Sequence, residues 1–271
     1  MQLPWKETLT PSNALIQSLL ISPQLVGDLP NAPRFNRRWL VDTGQNAELN
    51  LDQKLGHLFE DAFAALLTSS PVVELLERNL QVQQNRHSTV GELDFLIREP
   101  GGRLSHLEIA TKFYLGVDST NGIYFPGPDS RDTYDRKLHH LLSQQLTLPQ
   151  RHKGDLPPYY RDTDIAVKQL IYGCLFDHIA QLQPSIPKFS NPDCRRGKWL
   201  HRAEVNDYFS SEIQFHIIPK YLWPVPIELL EDIPLQQWQR EEAVDRCQMI
   251  RVDGKSIPYF VAPDEYPKQA E

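Results

Sequence analysis

Residues 89–99 (TVGELDFLIRE) and 104–114 (LSHLEIATKFY) are two apolar-rich runs joined through Pro100-Gly101-Gly102. Such runs on either side of a Pro/Gly turn signal read as two β-strands of a hairpin. Each carries polar groups onto an otherwise apolar sheet: Asp94 on the first strand, Glu108 and Lys112 on one face of the second. Two carboxylates and an ammonium on adjacent strands are costly to half-bury unless they bind a cation or perform chemistry.

Carboxylates that hold a divalent ion activate a water and neutralise a phosphate, and a nearby lysine orients either one. Oxygen-only ligands favour Mg²⁺ or Mn²⁺ over zinc. Asp94 and Glu108 are therefore candidate metal ligands and Lys112 a candidate catalytic cation. Along a strand, i and i+4 lie ~13 Å apart, so Glu108 and Lys112 meet one site only if the lysine leans back or a bulge shortens the path. Ala110 occupies the position between them, where a closer carboxylate is expected. The competing reading of Asp94, Glu108 and Lys112 is a cross-strand ion-pair cluster on a solvated face.

Glu60 is the candidate third carboxylate, at the edge of the apolar stripe Leu55, Leu58, Phe59, Ala62, Phe63, Leu66 and Leu67 of an expected helix. Glu92 shares a face with Asp94 as an auxiliary ligand or as strand-end surface. His87 and His106 are auxiliary candidates for phosphate contact or proton transfer, set against a structural role for each.

Residues 13–25 show helical spacing that stops near Pro23, and 26–50 read as a connection. Pro71 opens an expected short helix through Leu76, and residues 81–84 alternate as a first strand. A Gly/Pro/Asp-rich loop leads to a helix over roughly 134–148, with Leu138, Leu141, Leu142, Gln145 and Leu146 on one side. An apolar segment follows over 166–179. From Pro184 the chain reads as irregular, with an alternating stretch at 213–218 and a last ~15 residues poorly tied down. Within it Arg195, Arg196, Lys198, Trp199, His201 and Arg202 mix cations with an aromatic, which suits phosphate contact with base stacking. The alternative is a solvated basic loop anchored by Trp199.

The bulk composition sets bounds. A chain of 271 residues with 40% hydrophobic content buries a full core. A net charge of −7 argues against indiscriminate attachment to nucleic acid while leaving room for a local basic groove. The three cysteines have no metal-binding spacing and read as free thiols of a reducing compartment. No apolar run approaches the ~20 residues of a membrane span, and the N-terminus carries no secretory pattern, so a cytoplasmic location is expected.

Four stretches carry a resemblance: Leu55-Gly-His-Leu-Phe-Glu60, Gly91-Glu-Leu-Asp-Phe-Leu96, His106-Leu-Glu-Ile-Ala-Thr-Lys-Phe-Tyr-Leu-Gly116, and Gly127-Pro128 with Asp132. Together with the 137–146 helix, Tyr172-Gly-Cys-Leu-Phe176 and Trp199, the pattern resembles an uncharacterised bacterial family, domain of unknown function 1853. That family in turn is similar to the PD-(D/E)xK nuclease superfamily. The resemblance implies an α/β fold with a central mixed β-sheet flanked by helices, a restriction-endonuclease-like αβββαβ core. Residues 1–50 are then an N-terminal helical segment, 51–180 the nuclease-like core, and 181–271 an irregular C-terminal extension packed on it and disordered at its end. Asp94 matches the superfamily's metal-binding Asp, Lys112 its lysine and Glu60 its first-helix acid. Glu108 stands in for the acid that Ala110 replaces.

The expected function is Mg²⁺- or Mn²⁺-dependent phosphodiester hydrolysis of DNA or RNA. The alternative is a catalytically inactive nuclease-fold module that binds nucleic acid or a protein partner, or pairs with a second copy of itself.

Overall fold

The computed structural model describes residues 9–41, 48–85, 88–120 and 122–267. The elements that position the site are, in chain order, α1 (Pro11–Ile21), α2 (Leu55–Thr68), β1 (Glu74–Asn85), β2 (Ser88–Arg98), β3 (Leu104–Leu115), β4 (Val117–Ser119), β5 (Gly122–Tyr124), α3 (Tyr134–His140), β6 (Ile165–His178), β7 (Arg195–His201), β8 (Phe215–Ile217), β9 (Gln237–Trp238), β10 (Gln248–Val252) and β11 (Tyr259–Ala262).

Nine of these strands form one mixed sheet in the order β1-β2-β3-β6-β7-β11-β10-β8-β9, and β4 and β5 pair as a separate ribbon. The centre, β3-β6-β7-β11, is parallel. Antiparallel pairs flank it, β1-β2-β3 on one side and β11-β10-β8-β9 on the other. Parallel strands are buried on both faces, and β6 shows it in its near-continuous apolar run Leu170-Ile-Tyr-Gly-Cys-Leu-Phe176.

Helices cover both faces. The α2 stripe lies on one, where Phe59 meets Tyr172 and Phe63 meets Phe95 edge-to-face, each at 5.3 Å. These aromatic pairs add to the area they bury and fix how the helix sits on the sheet. Helix α1 begins at Thr10, whose hydroxyl accepts the Asn13 N–H at 3.2 Å, with Pro11 in its first turn. Its buried face joins the same core as α2. On the opposite face α3 and the turn after it pack Leu138, Leu141 and Leu146 against Tyr114, Ile171 and Leu175.

Three local expectations are corrected. The helix expected from Pro71 is absent: Pro71 lies in a bend and β1 already starts at Glu74, registered against Arg98 of β2. Residues 195–201 are a strand inside the sheet rather than a loop. The extension expected to be irregular supplies five of the nine strands, and Tyr259–Ala262 near its end inserts between β7 and β10. Four apolar residues between Pro258 and Pro263 are a weak local signal, and only the partner strands make them a β-element. Among the described residues no helix is long and apolar enough to cross a membrane.

Candidate functional site

The ladder between β2 and β3 runs from Arg98 opposite Leu104 to Phe95 opposite Leu107, and stops there. At the next position the Asp94 carboxylate accepts the Ile109 backbone N–H at 2.9 Å. A side chain thus fills the place of a strand bond, which an aspartate is short enough to do. On the other flank of β2, Asn79 of β1 takes a φ of 54° between the pairs Arg78–Phe95 and Leu80–Leu93. Asparagine tolerates this left-handed geometry better than most residues. The sheet is therefore irregular on both sides of Asp94.

Glu108 lies on β3 beside this gap and is 1% exposed. The Gln145 side-chain amide donates to one of its oxygens. Gln145 in turn accepts from the Lys137 ammonium at 2.7 Å. Lys137 belongs to α3, and Gln145 closes the π-helical turn Leu141–Gln145 that widens the end of that helix. Helices widen in this way preferentially at functional positions. The result is a half-buried polar chain from Lys137 through Gln145 and the fully buried Glu108 to Asp94.

The two carboxyls perturb each other. Burial first, then the Glu60 charge, push Asp94 up to about 7, against the lowering by the Ile109 hydrogen bond. Burial and the neighbouring Asp94 carboxyl drive Glu108 well above the ordinary glutamate range, and Lys137 offsets part of this. Lys137 itself is lowered by burial. His106, fully buried, is pushed down to about 3 by desolvation, so it is neutral. Its 3.7 Å approach to Glu108 is accordingly not an ion pair.

The remaining expected residues surround this pair unequally. Glu60 sits on α2 with one oxygen 3.7 Å from Arg78 and 3.8 Å from His57, beyond hydrogen-bond reach. Arg78 is committed to Asp61 at 2.5 Å. Lys112 turns away from the acids and donates to Asp132 at 2.8 Å. The cation that faces the acid pair is Lys137. Glu92 accepts from Gln81 across the β1–β2 pair, and burial with the Glu60 charge raises it. His87 lies outside the described residues. A cleft of about 630 Å³ lies beside the pair, reached through Ile109 rather than lined by either acid; Glu60, Asp129 and Asp132 stand in its wall against Lys54, Lys112 and Lys220.

The donor set suits a hard cation. Glu60 Oε2 and Glu108 Oε2 are buried without hydrogen-bond partners, and orphaned carboxylate oxygens of this kind are what an oxygen-ligated divalent ion satisfies. Glu60 completes no three-ligand cluster with Asp94 and Glu108 within 4.8 Å, among the described residues. Asp94 and Glu108 are thus the core of the site, and Glu60 an outlying acid.

The family described as Domain of unknown function (DUF1853) matches residues 16–262, from α1 to the end of β11. The chain belongs to this family. The match spans the acid pair, the cleft and β7 alike. No curated protein and no solved structure matches the chain.

The basic residues of 195–202 in this DUF1853 chain are spent on the fold's own carbonyls and on Asp177. Arg195 donates to Trp223, Pro224 and Val225 carbonyls at 3.3, 2.5 and 3.0 Å. Arg196 pairs with Asp177 at 2.6 Å, and Lys198 donates to the Gln181 carbonyl at 2.7 Å. Trp199 is buried, its indole N–H on the Gly116 carbonyl at 2.8 Å. Arg202 reaches the Glu242 carbonyl at 3.1 Å and stacks near Trp238. Arg195→Lys is expected to lower stability by about 1–3 kcal/mol in urea titration, because one ammonium cannot replace a fork over three carbonyls. An unchanged midpoint would show that this anchoring carries no weight.

Lys137 and Gln145 are the site residues that spacing did not single out. Gln145 interrupts a leucine stripe, and a polar residue on an apolar face is the signal that points to a buried partner.

Proposed function

We propose that the Asp94–Glu108 pair binds Mg²⁺ or Mn²⁺ and that the adjoining cleft hydrolyses phosphodiester bonds of nucleic acid. One observation carries this reading: a fully buried Glu108 and a half-buried Asp94 in contact at the point where β2 and β3 part, one residue along β3 from a cleft that Ile109, Glu60 and three lysines line. A divalent ion held there supplies Lewis-acid polarisation of the phosphate and a water made nucleophilic. Asp94 and Glu108 would be its ligands, with Glu60 as an auxiliary acid. Lys137, through Gln145, keeps the Glu108 carboxylate oriented and balances charge beneath the ion. Lys54 and Lys220 line the cleft as phosphate contacts, Lys112 beside them is held by Asp132, and Tyr221 and Trp223 offer stacking surfaces. With the separate β4–β5 ribbon inserted before α3, the order α2, β1, β2, β3, α3, then β6 parallel to β3, matches an αβββαβ nuclease-like core, and this supports the reading.

A second reading rests on one specific feature. Ala110 and the Lys112–Asp132 pair leave the acids without an ammonium from their own strand, as in a silent module that binds nucleic acid or a protein without cutting.

The test is cleavage of labelled single- and double-stranded DNA and RNA with Mg²⁺, Mn²⁺ or chelator. Ion-dependent cleavage is expected, falling ~100-fold or more in Asp94→Asn and Glu108→Gln, the range over which charge-stabilising groups act. The wild type should also gain about 2.7 kcal/mol of stability at a hundredfold excess of Mn²⁺ over Kd. Absence of both cleavage and stabilisation across all substrates would leave the silent module.

A further inference from the structure

A second group of side chains gathers away from the acid pair, at the carboxyl ends of two adjacent parallel strands. His178 ends β6, His201 ends β7, and Glu204 closes the 3₁₀ turn Arg202–Glu204 that follows. Carboxyl ends of parallel strands are where open α/β sheets place ligands. One ligand atom from each of the three residues lies within 4.8 Å of the others.

The hydrogen bonds at this cluster turn both rings toward one carboxylate oxygen. His201 Nε2 lies 2.9 Å from the Tyr266 carbonyl, which only accepts, so Nε2 carries the hydrogen. The Nδ1 of a neutral ring then presents its lone pair to Glu204 Oε2 at 3.2 Å. Either a proton or a metal ion between them satisfies this pair, and the Glu204 backbone N–H also turns to the His201 ring in a capping box. A ring N–H fixed on a backbone carbonyl, with the other nitrogen turned to the site, is the outer arrangement of histidine metal ligands. Glu204 Oε2 also stands 3.0 Å from His178 Nε2. Ligand atoms on a tetrahedral ion with bonds of 2.0–2.1 Å stand about 3.3 Å apart, close to both separations.

Second, the rings are held in place. Trp199 packs edge-on against His178 at 4.7 Å and His201 at 5.0 Å. The three ligand side chains keep about a quarter of their surface in water, which leaves one side of the cluster open. Binding through His178 Nε2 gives up a 3.4 Å contact from the exposed Ala180 N–H, which water replaces.

We propose that His178 Nε2, His201 Nδ1 and Glu204 Oε2 bind a borderline divalent ion of the zinc class, with a fourth position open to water. Two imidazoles and one carboxylate select such an ion over Mg²⁺, so this site and the acid pair differ in chemistry and do not depend on each other. The three cysteines are buried, so thiols do not compete for the ion in the folded chain.

The test is calorimetric titration of the untagged, chelator-stripped full chain with Zn²⁺, with Co²⁺ as a visible-absorbing probe. One Zn²⁺ per chain with a Kd below about 10 μM is expected, with a cobalt spectrum of low coordination number. His178→Gln, His201→Ala and Glu204→Gln should each weaken binding ~100-fold or more, above the loss typical of outer-shell changes. Asp94→Asn should leave it unchanged. Glu204→Gln keeps the acceptor for the His201 backbone N–H, so it serves even if a histidine variant fails to fold. No uptake at about 100 μM free Zn²⁺ would mean that a proton bridges His201 and Glu204, and would overturn the site. Equal binding by the Glu204→Gln chain would overturn it too.

Discussion

Gly173→Ala should cost about 2–6 kcal/mol and leave little folded protein at 37 °C. Gly173 sits in the middle of β6, directly opposite Lys112 of β3, with a φ of 149°. A Cβ built there would lie 1.7 Å from the Lys112 carbonyl oxygen and 2.7 Å from its carbon. Both atoms are backbone, so the clash is relieved only by parting two central parallel strands. Strain at a glycine-only conformation costs roughly 1–3 kcal/mol and overpacking a core adds a similar amount. Against a domain stability of about 5–15 kcal/mol, that is a large share. Gly56→Ala is the matched control. Gly56 is in the first turn of α2 with nothing within 4 Å of the added carbon, so a gain of up to about 1 kcal/mol is expected. Urea midpoints of the two variants decide the matter. A Gly173→Ala chain within about 1 kcal/mol of wild type would mean that β3 and β6 are not held as described. The position matters for the site as well, because this close approach sets the backbone from which Lys112 reaches Asp132.

How much of this was legible in the residues depends on how local the signal is. The stripe from Leu55 to Leu67 carries its own period, so α2 emerges where the spacing puts it. The Gly101-Gly102 turn, both residues at positive φ, marks the β2–β3 hairpin without help from the rest of the chain. Sheet membership of β7 and β11 is different. Arg195 to Arg202 looks like a solvated basic loop because its charges are visible and its partners, the carbonyls of 223–225 and Asp177, are distant in sequence. Tyr259–Ala262 is four residues long and gains its identity by pairing with β10 and with β7, the latter some sixty residues earlier. The same holds for the candidate site. Asp94 and Glu108 stand out on their strands because charges there need a reason, but the partner of Glu108 is Lys137 through Gln145, on a helix whose leucines dominate its pattern. Lys112, the residue that spacing favours, is held off by Asp132. His178, His201 and Glu204 have no motif spacing at all, since two parallel strands bring them together.

The metal-free chain should be most stable near pH 4–5 and lose roughly 2–4 kcal/mol by pH 8, an unusual profile for a protein whose carboxylates commonly favour neutral pH. The sign follows from the acid pair. Asp94 is raised from 3.8 to about 7, and Glu108 is raised as well, both chiefly by burial. Each holds its proton more tightly in the folded state than in the unfolded one. Their stabilisation is therefore complete below the unfolded values near 4, and drains away as the pH rises through the folded ones. Below pH 4 the opposite group takes over. Asp129, held down to about 2 by Arg131, and Asp28 and Asp61, also lowered, lose their partners as they protonate. Asp94→Asn removes the drain while its side-chain oxygen still accepts the Ile109 N–H, so this variant should exceed wild type in stability at pH 8 by about 1–3 kcal/mol. Mn²⁺ should flatten the wild-type profile by taking the place of the shared proton, and should do nothing to the profile of Asp94→Asn. Chemical denaturation at pH 4, 6 and 8, with and without Mn²⁺, measures all of this on one instrument. A flat metal-free profile would show that the two carboxyls are ionised and solvated. In that case the pair would be ordinary surface charge, and the reason for placing an ion between them would be gone. A sloping profile that Mn²⁺ leaves unchanged would keep the buried pair but assign its charge balance to Lys137 alone, which is the arrangement a silent module needs.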